Sequence, residues 1–91
     1  MRIFKYPIEI TDIQDLILPA DSKILSFQFQ NGIPCIWALV RTQAGTPEVK
    51  RRIHIYGTGH PIIQQGQFVG TVQQPNSPFV WHLFDQGEVQ S

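Results

Sequence analysis

The chain has 91 residues, of which 42% are apolar and only 15% charged, and its seven Lys and Arg balance seven Asp and Glu. A net charge of zero excludes a protein held to duplex nucleic acid by a basic excess. No apolar run reaches the length of a membrane span, and the opening M-R-I-F-K-Y-P lacks the apolar core of a signal peptide.

One cysteine, Cys35, rules out an intrachain disulfide and points to a reducing cytoplasm. The length makes a single domain spanning residues 1–91. A chain this size buries only about 60–65% of the surface its unfolded form exposes. With charges below the usual value of about 25%, much surface stays neutral, which favours a homo-oligomer over a lone protomer.

Arg2–Tyr6 alternates and is closed by Pro7, which reads as a short edge strand because proline cannot donate to a ladder. Thr11-Asp12 is a capping or turn signal. Asp12–Leu18 is too short for a helix before Pro19 and reads as a strand, with Ile13, Asp15 and Ile17 on one side. Lys23–Gln30 and Ile33–Arg41 flank Asn31-Gly32, a two-residue hairpin turn whose positions both need positive φ. Strict alternation across that turn predicts a core face of Leu25, Phe27, Phe29, Ile36, Ala38 and Val40. The opposite face carries Ile24, Ser26, Gln28, Cys35 and Trp37.

Thr42–Pro47 is a loop by composition. Glu48–Tyr56 follows as a long strand, read as a twisting edge. Phe68–Gln73 is predicted to place Phe68, Gly70 and Val72 on one face. Phe79–Phe84 is apolar on both faces and therefore central, or under a subunit contact. Residues 85–91 read as a loose polar tail. About seven short strands and no helix predict an all-β fold, a small antiparallel barrel or sandwich.

The stretch that gathers the chemistry is Arg51–Ile62, R-R-I-H-I-Y-G-T-G-H-P-I. Period-two alternation puts Ile53 and Ile55 on one face and Arg52, His54 and Tyr56 on the other. Gly57-Thr58-Gly59-His60 lets backbone amides approach an anion, and the same glycines suit a tight turn. No P-loop or dinucleotide fingerprint is present. Arg51 and Arg52 supply the guanidinium groups that pair with phosphate, and Tyr56 or Trp37 the ring on which a base stacks. The alternative is a solvated edge strand protected by its charges. His54, His60, His82 and Cys35 lack metal-ligand spacing, so no metal is expected. No nucleophile–base signature marks an enzyme, and no cofactor is implied. The expected ligand site is Arg51, Arg52, His54, Tyr56, Gly57, Thr58, Gly59, His60 and Trp37, completed between subunits.

Through I-Y-G-T-G-H-P-I, M-R-I-F-K-Y-P-I, Q-N-G-I-P-C-I-W-A-L-V and F-V-W-H-L-F the chain resembles, over nearly its whole length, a family of small tailed-phage and prophage proteins of unknown function. In style it is similar to phage sponge proteins, oligomers that sequester the cyclic nucleotide signals of CBASS or Thoeris defence without cleaving them. That analogy implies a cyclic dinucleotide or related ligand, a homo-oligomer and a place in the host cytoplasm. The competing expectations are a protein that binds a host or phage partner through an apolar face around Trp37 and Trp81, and a small virion component.

Overall fold

The computed structural model describes residues 1–90. Seven strands form two antiparallel sheets: β1 (Arg2–Pro7), β2 (Ile13–Pro19), β3 (Lys23–Gln30), β4 (Ile33–Val40), β5 (Glu48–Gly57), β6 (Gln67–Gln73) and β7 (Val80–Glu88). One sheet has the order β1-β4-β3 and the other β2-β5-β7-β6. The sheets face each other without closing into a barrel, and they meet where β3 runs beside β6. Between them lies one core, centred on Leu18, Phe27, Ile36, Ile53, Ile55 and Leu83. Burying a side chain of this kind stabilises by about 1.5–3 kcal/mol over leaving it exposed.

The Asn31-Gly32 turn forms as expected, with φ of 53° and 79°, and it sets the pairs Gln30–Ile33, Gln28–Cys35, Phe27–Ile36 and Ser26–Trp37. Strict alternation fails beyond Ser26. A bulge between Ile24 and Ser26 inserts one extra residue, so Ile24 pairs with Ala38 and turns into the core while Leu25 turns out. The same device acts in β6. A bulge between Phe68 and Gly70 sends Phe68 outward against Phe84, while Gly70 and Val72 face inward to Leu83 and Trp81.

Two strands differ from expectation in place and length. β5 is interior, paired with β2 on one side and β7 on the other, because the apolar runs on both flanks need its ladder. β7 is central, as its two apolar faces require, and it continues through Glu88. The expected tail from Asp85 is therefore strand for its first four residues, held by Asp85 pairing with Ile53 and Glu88 with Arg51; Ser91 lies outside the described residues.

Candidate functional site

Alternation along β5 sorts the expected site residues. Arg51, Ile53 and Ile55 point between the sheets, opposite Glu88, Asp85 and Leu83; Arg52, His54 and Tyr56 point to the outer surface. Arg51 is thereby removed from the site. Its Nε and Nη2 donate to the two Asp85 carboxylate oxygens at 2.9 and 2.7 Å, and its Nη1 donates to Ser22 O at 2.7 Å. The Asp85 hydrogen bond holds its pKa above the ordinary guanidinium value, against the opposing effect of burial. Arg52 is also engaged: Nε and Nη2 donate to Asp15 Oδ1 and Oδ2 at 2.8 and 3.1 Å. Asp15 sits below the usual carboxylate range, first because of that hydrogen bond. Neither arginine is a free cation waiting for phosphate.

Trp37 is corrected as well. It lies on β4 in the other sheet, on that sheet's outer face beside Ile3, Leu25 and Gln28, and it shares no surface with His54 or Tyr56. Trp81 belongs to neither face, since it packs against the core and donates its indole N–H to Gln74 Oε1 at 2.9 Å. The two tryptophans do not form one surface.

What does come together is His54, Tyr56 and His60. Gly57-Thr58-Gly59-His60 is a β-turn closed by His60 N–H donating to Gly57 O at 3.1 Å, with Gly59 at φ 86° as a type II turn requires of its third residue. The turn therefore consumes one of the amides that an anion cradle would use. Gly57 has a separate role. A Cβ there would stand 2.9 Å from His60 Cε1, so the missing side chain is the seat of the imidazole.

The chain then folds back over the outer face of β5. Tyr56 Oη donates to Gln64 O at 2.9 Å, and Gln64 N–H donates to Tyr56 Oη at 3.3 Å. Gln86 Nε2 donates to Gln64 O and Gln65 O at 3.2 and 3.0 Å. Thr58 Oγ1 is bonded to His82 Nε2 and Thr71 Oγ1 to His82 Nδ1, both at 2.8 Å. The Thr58 hydroxyl is thus spent on pinning the turn to β7.

Under this loop His54 and Tyr56 are only 4% and 9% exposed although they face away from the core. The Tyr56 ring meets His54 and Phe84 edge-on, with centroids 5.9 and 5.8 Å away. It is a wall rather than an open stacking platform. A cleft of about 300 Å³ remains, lined by Asp12, Ile13, His54, Tyr56, His60, Pro61 and Ile63. Its lining comes from residues of one chain.

Asp12 and Ile13 arrive through tertiary register. Ile13 pairs with His54, and Ile55 N–H donates to Asp12 O at 3.1 Å. Read in sequence, Asp12 is only a turn residue, and no local signal joins it to a histidine 42 positions on (54 less 12). Pro61 follows directly on His60 in sequence, and nothing in that pair alone marks it as a wall of the cleft. Among the described residues no cluster of three or more His, Cys, Asp or Glu could hold a metal, and no helix is long and apolar enough to cross a membrane.

A two-sheet antiparallel domain with a loop-roofed cleft on one outer face is the class that fold and site define. Across residues 1–91 the chain matches the family described as Domain of unknown function (DUF7352), and it belongs to that family. No curated protein and no solved structure matches it.

Proposed function

We propose that the protein is a non-catalytic binding protein of the cytoplasm that sequesters a small nucleotide-like ligand, with the ring of the ligand in the cleft under the 57–66 loop. The observation that carries this reading is the cleft itself: mostly apolar walls around a few fixed polar groups, the usual make-up of small-molecule sites. Its volume, about 300 Å³, stands at the lower end for such sites and suits one base rather than a whole dinucleotide. Sugar and phosphate would stay outside. With Arg51 and Arg52 both paired to carboxylates, affinity would come from the ring more than from the phosphates. In its most specific form the protein is phage-encoded and the ligand is a cyclic nucleotide signal of bacterial defence, held intact.

The test is a thermal-shift and calorimetric screen against nucleosides, cyclic di- and trinucleotides and cyclic ADP-ribose isomers, with chromatography of the recovered ligand. Binding at 100 times Kd should stabilise the fold by about 2.7 kcal/mol, and the ligand should come back uncleaved. No shift at millimolar ligand would end the proposal, and turnover would replace sequestration with catalysis.

A second reading rests on the outer face of the β1-β4-β3 sheet, where Ile3, Leu25 and Ile33 are 57%, 40% and 52% exposed around the half-buried Trp37. An apolar face of this kind suits a contact with a second copy or another protein. Native mass in solution tests self-association, and a monomeric mass at high concentration would count against a homo-oligomer.

A further inference from the structure

The hydrogen bonds around Tyr56 fix the polarity of the cleft, and with it the chemical class of the ligand. The phenol has a single proton. Its oxygen lies 2.9 Å from Gln64 O, 3.3 Å from Gln64 N and 2.9 Å from His54 Nδ1. A carbonyl cannot donate, so the proton points to Gln64 O. The Gln64 N–H already donates to the phenol oxygen. At His54 the phenol can then only accept, so Nδ1 must carry the hydrogen. In the unprotonated ring the lone pair is left on Nε2, which makes no hydrogen bond to protein among the described residues while the ring lines the cleft. Asp12 also lines the cleft, and its carboxylate only accepts when ionised; His60 lines it too and keeps one N–H donor in the unprotonated ring, while no lysine or arginine is there. Ile13, Pro61 and Ile63 complete it with apolar walls.

Resting on the binding reading above, we infer that the cleft presents two acceptors, His54 Nε2 and Asp12, to a flat ring edge bearing adjacent N–H donors, the N1–H and N2 amine edge of guanine. At those two groups a phosphate would meet a lone pair and a carboxylate. A burial-locked imidazole acceptor discriminates strongly, because a ligand that lacks the donor leaves a buried polar group unpaired.

Two measurements on the full chain test this. Long-range proton–nitrogen NMR of the free protein reads the His54 tautomer directly. An Nδ1–H pattern is expected, and an Nε2–H pattern overturns the inference whether or not any ligand binds. Calorimetry with guanosine, inosine and 1-methylguanosine reads the donor edge. Guanosine should bind at least about tenfold tighter than 1-methylguanosine, with inosine between them, roughly the value of one hydrogen bond. Asp12→Asn should weaken guanosine by about the same factor; the Asp12 side chain makes no hydrogen bond among the described residues that its loss would break, so the variant should melt like the parent. Equal binding of guanosine and 1-methylguanosine overturns the donor assignment and leaves the cleft a binding site. Binding of no ring ligand overturns both the assignment and the reading it rests on.

Discussion

Arg51 and Arg52 are consecutive, each is bidentate to an aspartate, and they lie on opposite faces of one strand. The Arg51–Asp85 pair is largely enclosed, its side chains 14% and 9% exposed; the Arg52–Asp15 pair is at the surface, 43% and 29% exposed. The contact distances are nearly the same, so the difference lies in solvent. Water screens the outer pair and would replace either partner cheaply. Inside, each partner is the other's main compensation for lost hydration, and Asp85 Oδ1 also accepts Gly87 N–H at 2.8 Å where a bulge bends β7. The inner pair is structural glue and the outer one a fastening of β2 to β5. Two arginines in sequence thus make no phosphate site, although their spacing invites one.

The sharpest way to break this comparison is Asp85→Ala. It leaves a largely enclosed guanidinium with only Ser22 O as a partner, which costs up to about 3–5 kcal/mol. Urea or thermal denaturation should show it. For a domain of this length each kcal/mol is worth about 4–8 °C in melting temperature, so a shift within a few degrees would refute the assignment of the pair to the interior. The matching change outside, Asp15→Ala, should lower stability far less.

Tyr56→Phe comes next. It strips the phenol from Gln64 in the loop and from the buried His54 beneath it, and should cost about 1–3 kcal/mol, the range for a buried polar group left unpaired. Hydrogen exchange should then rise in 58–66 before it rises in the core strands. An unchanged loop would mean that Gln86 and the Thr58–His82 bond suffice to hold it down. Gly57→Ala is smaller still. The added Cβ meets only the tip of an exposed histidine, so His60 should swing out at less than about 1 kcal/mol, seen as loss of the ring-environment shift of its NMR signals. A large destabilisation would show that the His60 seat is part of the core.

What a sequence alone makes legible is set by the range of the interactions. Asn31-Gly32 is legible because its constraint is local: two positive φ angles fix a register that holds for the next five residues. At Ile24 the register slips, and nothing in K-I-L-S-F tells which of two adjacent apolar residues goes inward. The bulge decides it, and no local signal in those residues announces the bulge. The face of Arg52, His54 and Tyr56 follows from alternation. Their surroundings do not, because the partners Asp15, Asp12 and Gln64 come from register and from a loop whose path depends on the glycine seat at 57. Trp37 misleads for the opposite reason: its type suits a ligand platform, and topology sets it on the far sheet.

The smallest effect concerns the outer pair and pH. Arg52 lowers the Asp15 pKa, so the folded state favours the ionised carboxylate more than the unfolded chain does. Stability from this source is present above the ordinary carboxylate value and is lost as pH falls through the lowered, folded one. Comparing the parent chain with Asp15→Asn across that window isolates it. The two stability curves should run parallel above the carboxylate range and converge in acid, where protonation makes the parent resemble the variant, and added salt should narrow the gap at neutral pH. Curves that stay apart in acid would mean that Asp15 holds β2 to β5 through packing rather than charge, and the contrast between the two arginines would then rest on shape instead of solvent.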